Sequence, residues 1–205
     1  MMKQIVLVGA GGHAMACIDV IEKMESFELI GLVGTNTEVG KEVLGYEVIG
    51  SDEILPTLRL KISYAFVGVG QITSALTRMK IFANLKNLGF ELPVLISPEA
   101  YISSHSKIGS GTVIHHGARV GPGSQIGMNC IVNTNAIIEH GAKMGDNCHL
   151  ATGAIINGDA IIGSETFIGS GAIIRNNISV GSKSIIAMGS QIFESLPDNS
   201  RASFR

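Results

Sequence analysis

From Ile96 to Ile192 every sixth residue is aliphatic, with methionine standing in once, at Met144. The row runs Ile96, Ile102, Ile108, Ile114, Val120 and on through Ile186 to Ile192 without a gap. Four residues after each member sits a small side chain, such as Ala100, Ser106, Thr112, Ala118, Cys130 and Cys148. Through Ser190, Ile178 alone breaks this second row. A period of six suits neither the 3.6-residue helix nor the two-residue alternation of a strand. It marks a solenoid of short parallel strands, a hexapeptide β-helix. Three hexads make a triangular coil of about 18 residues, so the row spans a little over about five coils, roughly 25 Å tall at ~4.8 Å per strand spacing. The aliphatic row fills the axis and the small row fits the corners. Glycines directly after the aliphatic residue, among them Gly109, Gly121, Gly127 and Gly163, are expected to supply the φ > 0 conformations of tight corners.

Composition narrows the function by exclusion. The 205 residues carry a formal charge of −2, and 16% of them are charged. There is no basic excess for nucleic acid or an anionic membrane, and no apolar run approaches the ~20 residues of a membrane span. The opening MMKQIVLVGAGGHA reads as a first strand ending in glycines rather than as a signal peptide. Cys130 and Cys148 lie one coil apart on the small row and should stack as core residues. A disulfide is the rival reading, but it would need an oxidising compartment. A cytoplasmic location is expected.

Residues 1–95 follow other rules. KQIVLVG (Lys3 to Gly9) has the pattern of a buried strand, and His13 to Glu25 that of a helix. Phe27 to Gly34 reads as a second strand, Ile62 to Gly70 as a third, and Thr73 to Leu88 as a second helix. Alternating strands and helices imply a small, parallel, Rossmann-like α/β domain. It is followed by the β-helix over 96–195 and a tail over 196–205. Pro93 and Pro98 bracket the join.

Two places carry chemistry. In VGAGGHA, Gly9, Gly11, Gly12 and His13 stand where a strand meets a helix start, and free backbone N–H groups there favour an anion. A phosphate of a nucleotide sugar fits; a tight turn with no ligand accounts for the same residues. In the solenoid, His140 lies two places after Ile138, an outward position. Its neighbour one coil on is Gly158, which should leave an empty shelf beside the ring. A neutral imidazole in that slot suits proton removal from an amine or hydroxyl; a surface histidine with no role is the alternative.

The order VGAGGHA, α/β domain, hexapeptide repeats and NTNAIIEH resembles the bacterial sugar O-acyltransferases of the sialic-acid O-acetyltransferase type. It is also similar to the UDP-4-amino-sugar N-acetyltransferases of bacillosamine biosynthesis. The resemblance implies a left-handed β-helix and a homotrimer that holds acetyl-CoA between adjacent solenoids. It further implies His140 as general base, with His149, Asn133 and Gly158 around acetyl-CoA and the N-terminal glycines on the nucleotide sugar. The implied activity is N-acetylation of a nucleotide-linked amino sugar for bacterial surface glycans, without a metal. O-acetylation of a sialic-acid-like sugar and non-catalytic binding of a nucleotide sugar are the alternatives.

Three positions depart from the family pattern. Gly141 stands where an acidic residue orients the base, Gly34 to Asn36 replace an acidic pair that reads uracil, and LPDNSRASFR lacks the usual glycine-asparagine-proline-alanine tail. His105, His115 and His116 are expected on exposed or subunit-facing walls. No two histidines are five apart, which argues against the zinc site of hexapeptide carbonic anhydrases. Ile131, Ile137, Ile155, Ile161, Phe167 and Ile173 are expected to face outward, a patch too apolar for a monomer.

Overall fold

The computed structural model describes residues 2–202. The chain begins with β1 (Lys3–Val8), α1 (Gly12–Met24) and β2 (Phe27–Val33), followed by the short pair β3 (Glu42–Val43) and β4 (Tyr46–Gly50). Then come α2 (Leu55–Arg59), β5 (Tyr64–Val67) and α3 (Leu76–Asn87). These form one sheet in the order β3-β4-β2-β1-β5, parallel except for the β3–β4 hairpin. The apolar β1 strand lies between β2 and β5, with Ile5, Val6 and Leu7 fully buried. The hairpin and α2 were not anticipated. Leu44 and Gly45 both take φ > 0 in the hairpin turn, a two-residue conformation usually signalled by Asn-Gly or Asp-Gly. Helix α3 starts three residues later than expected, where the Ser74 hydroxyl accepts from the Leu76 N–H at 3.2 Å; just before it, Gln71 Nε2 donates to the Asn147 carbonyl at 3.0 Å.

From β6 (Leu95–Ile96) to β22 (Gln191–Ile192), two-residue strands recur every six residues and build three parallel sheets. Each strand pairs with the one a full coil away, as Arg119–Val120 does with Ile137–Ile138. The aliphatic row and the small row together form one continuous core, and Cys130 and Cys148 are buried within it as free thiols. The coil continues through β23 (Arg201–Ala202), which pairs with Ile185–Ile186, so much of the expected tail extends the solenoid. Residues 203–205 lie outside the described residues.

The glycines after the aliphatic residue do a different job from the one expected. Gly109, Gly121, Gly127 and Gly163 do not take φ > 0; a Cβ on Gly109 would come within 2.6 Å of the Gly127–Met128 backbone in the next coil. They are glycines because neighbouring coils touch there. The left-handed corners come two residues later, at Asn129, Asn135, Gly141, Asn147, Gly153 and Asp159. Asn and Asp tolerate that conformation better than most side chains.

The α/β domain packs onto one wall of the β-helix. Val113 and Ile131 are fully buried in one cluster with Ala14, Cys17 and Ile18 of α1. Ile131 is therefore not an exposed wall residue; the chain's own helix covers it. His115 is corrected for the same reason, being only 1% exposed. Arg78 of α3, fully buried, donates to the Val67 carbonyl at 3.2 Å and to Asn129 Oδ1 at 2.8 Å, tying sheet, helix and solenoid together. His116 adds a rim contact, its Nε2 lying 2.7 Å from Asp19.

Candidate active site

At the carboxyl end of β1 the chain turns sharply. Gly9 has φ +125°, and a Cβ there would press on Val69 and Gly68 at the end of β5. Gly11 then caps α1 and Gly12 opens it, with no side-chain hydrogen bond to the first turn. Space is open where either Cβ would stand. The uncapped N–H groups and the helix dipole make this a favourable place for a phosphate. A cavity of about 680 Å³ runs along the turn between Gly9, Gly11, Thr35, Asn36, Ser51 and Lys80. A second, of about 640 Å³, begins at Gly11 and Gly12 and extends past His13 and Gln71 to Asn133 and His149. Gly11, Val69 and Thr77 line both, so the two form a continuous trough from the sheet to the solenoid.

The wall after β2 is acidic in spite of its Gly-Thr-Asn sequence. Glu38 folds back so that its carboxylate accepts hydrogen bonds from the Thr35 N–H at 2.8 Å and the Thr35 hydroxyl at 2.7 Å. Those bonds hold it below the usual glutamate range. Asp52 and Glu53 stand on the same cavity wall. Reading only the residues at the end of the strand missed all three carboxylates.

At the other end of the trough, His149 is 8% exposed. Its Nδ1 lies 2.6 Å from the Gln71 carbonyl and therefore carries the proton, leaving Nε2 to accept from the Asn133 amide at 3.4 Å. Burial holds its pKa down at about 4, with the nearby Arg78 charge adding to that and the Gln71 bond opposing it. His13 is also held well below the ordinary histidine value, first by burial and then by Arg78. Both rings are neutral at pH 7.

His140 belongs elsewhere on the surface. It follows β13 (Ile137–Ile138) at an outer corner, its side chain is 64% exposed, and it does not line the trough. The residues expected around one acyl-transfer site thus form two separate pairs within the chain, His149 with Asn133 and His140 with Gly158. The shelf at Gly158 is not empty. The imidazole itself lies across it, so that a Cβ at 158 would be 2.5 Å from His140 Cε1. The acidic neighbour missing at 141 arrives one coil later: Asp159 Oδ2 is 3.9 Å from His140 Nδ1. Adding 18 to 141 would have found it. Gly141 has φ +67°, and the Asp159 carboxylate occupies the space of its absent side chain. A glutamate at 141 would be strained and displaced, so it is no route to a better-oriented base.

The PglD N-terminal domain matches residues 4–85, the bacterial transferase hexapeptide (six repeats) 123–158, and the hexapeptide repeat of succinyl-transferase 160–193. No curated protein is similar enough to match. Among solved structures, the acetyltransferase domain of PglB from Neisseria gonorrhoeae, in complex with acetyl coenzyme A, is 31% identical. The alignment covers 98% of this chain and 96% of that one, with a TM-score of 0.90. A histidine-to-asparagine mutant of perosamine N-acetyltransferase from Caulobacter crescentus, in complex with CoA and GDP-perosamine, is 28% identical over 98% and 93% of the two chains (TM-score 0.90). WeeI from Acinetobacter baumannii shares the fold at 20% identity over 97% and 96% (TM-score 0.82). No helix among the described residues is long and apolar enough to cross a membrane. With a PglD-type domain, a hexapeptide solenoid and a 31%-identical relative along nearly its full length, the chain belongs to the PglD-like family of hexapeptide-repeat acetyltransferases.

Proposed function

We propose that the protein transfers the acetyl group of acetyl-CoA to the amine of a nucleotide-linked amino sugar in bacterial surface-glycan biosynthesis, with His140 as general base, and that it works as a homotrimer. The observation that carries this reading is the trough. Its glycine turn at the start of α1 suits a diphosphate, and its sheet end offers carboxylate acceptors for a base. Its far end reaches the solenoid, where the sugar would project. A relative with 28% identity holds CoA and GDP-perosamine together.

The split between the two histidine pairs supports the trimer. A trough that ends at His149 lacks an exposed base of its own, and a neighbouring copy would supply His140. Ile137, Ile155 and Ile173 stack on one wall near that corner, half-buried and unclaimed by the α/β domain. At the shared site, Asp159 attracts the His140 Nδ1 proton and leaves Nε2 to take a proton from the amine. The amine nitrogen attacks the thioester carbonyl, the oxyanion forms near the Gly158 backbone, and the C–S bond breaks as the proton taken up by His140 passes to the leaving sulfur, releasing CoA as the thiol. His149 is neutral and locked between Gln71 and Asn133, which suits it to hold acetyl-CoA or the acceptor rather than to shuttle protons.

Thiol release from acetyl-CoA over a panel of nucleotide amino sugars and hydroxyl sugars tests this directly. Turnover with amino sugars alone supports it. Turnover with hydroxyl sugars alone points to O-acetylation, and binding without turnover to a sugar-binding protein.

A further inference from the structure

We propose that His13, Cys17 and His115 form a binding site for a divalent metal of the zinc class, which clamps α1 to the solenoid. His13 and Cys17 are four residues apart on α1 and share one face. His115 follows β9 (Val113–Ile114) on the wall that α1 covers. One donor atom from each lies within 4.8 Å of the others. Cys17 Sγ is 3.5 Å from His13 Nε2. Zn–N and Zn–S bonds of ~2.0 and ~2.3 Å at a tetrahedral angle separate nitrogen and sulfur by about 3.5 Å. The His13 and His115 rings meet edge-on, with centroids 5.6 Å apart.

A second observation points to a ligand independently. His115 is 1% exposed, and neither of its ring nitrogens has a hydrogen-bond partner among the described residues. A buried imidazole left without partners is a rare arrangement, and a metal bond at one nitrogen relieves it. His149 is close by but already committed at both nitrogens. Two imidazoles and a thiol select zinc, cobalt or nickel over magnesium or calcium. The fourth position is left for water from the cavity that His13 lines.

Charge sets a condition. Binding exchanges the Cys17 thiol proton for the metal, Cys17–SH + M²⁺ giving Cys17–S⁻–M²⁺ + H⁺. Burial pushes the Cys17 thiol up to about 12, so metal binding must supply the free energy to displace that proton; the buried Arg78 guanidinium partly offsets the burial but also repels a second cation. The absence of a histidine pair five apart does not bear on this site, because its ligands come from two domains.

Cobalt titration of the chelator-treated full chain tests the proposal. One equivalent of Co²⁺ should give thiolate-to-cobalt charge-transfer absorption, and Zn²⁺ should raise the Tm by about 5 °C. Cys17→Val should abolish the charge-transfer band, and His115→Gln should weaken Co²⁺ binding at least tenfold. Both variants should keep the wild-type circular dichroism. No charge-transfer band in wild type at excess Co²⁺ overturns the proposal even if the variants misfold. So does a band of wild-type size in folded Cys17→Val.

Discussion

The two halves of the molecule are held together by different kinds of information. In the solenoid, each coil sits on the one before it, and a residue's surroundings follow from adding 18 to its number. In the α/β domain, contacts are set by long-range packing: Arg78 reaches Asn129, and His13 meets His115. A local rule therefore governs one half, and substitutions there should be readable from the register alone. Gly109 and Gly153 make the sharpest contrast. Gly109 faces backbone of the next coil at 2.6 Å, whereas Gly153 has φ +65° and open space. Gly109→Ala should cost about 3 kcal/mol by overpacking, and Gly153→Ala about 1 kcal/mol of backbone strain. Urea unfolding of the two variants measures the difference; equal costs would break the register rule.

The next largest effect probes the seam between the halves. Arg78→Met leaves the Val67 carbonyl and Asn129 Oδ1 without a donor in a buried setting, costing roughly 3 kcal/mol. Calorimetry should show the unfolding transition broadening or dividing as the domains uncouple. A smaller effect concerns pH. The folded-state pKa of His149, about 4, lies below its ordinary value of 6.5. Between those values the unfolded chain takes up a proton that the folded chain refuses. Stability is therefore full above pH 6.5 and falls as pH drops toward 4. His149→Gln should remove about 2 kcal/mol of that acid-side loss, seen as a flatter Tm profile between pH 6.5 and 4.5.

The contrast also explains what could be read in advance. The strands, the axial core and the stacking of Cys130 on Cys148 were legible because each depends on residues 6 or 18 apart. The role of the glycines after the aliphatic row was not legible, since composition alone does not separate a left-handed corner from a close contact between coils. In the α/β domain β1, β2, β5, α1 and α3 were legible from hydrophobic runs. The Leu44–Gly45 hairpin was not, because its turn lacks the usual residues. Of the candidate site, the glycine turn and the His140–Gly158 pairing were visible. Glu38 was not legible because it reaches back three residues to Thr35, and Asp159 was not because the acidic partner of His140 is a neighbour not of His140 in sequence but of position 141 one coil on.

Asp159→Asn gives the smallest effect and tests that last point. Asparagine keeps the left-handed corner but loses the charge beside Nδ1, so kcat should fall about fivefold, or ~1 kcal/mol, with KM for acetyl-CoA unchanged. Gly141→Glu should not restore it.

The central claim is that an exposed solenoid histidine, outside the lining of its own chain's trough, performs the proton transfer. Steady-state kinetics of His140→Ala with acetyl-CoA and the best nucleotide amino sugar test it most directly. The account predicts a fall in kcat of about 100-fold or more with little change in acetyl-CoA affinity. Near-normal kcat in a folded His140→Ala protein would contradict it and turn attention to His149.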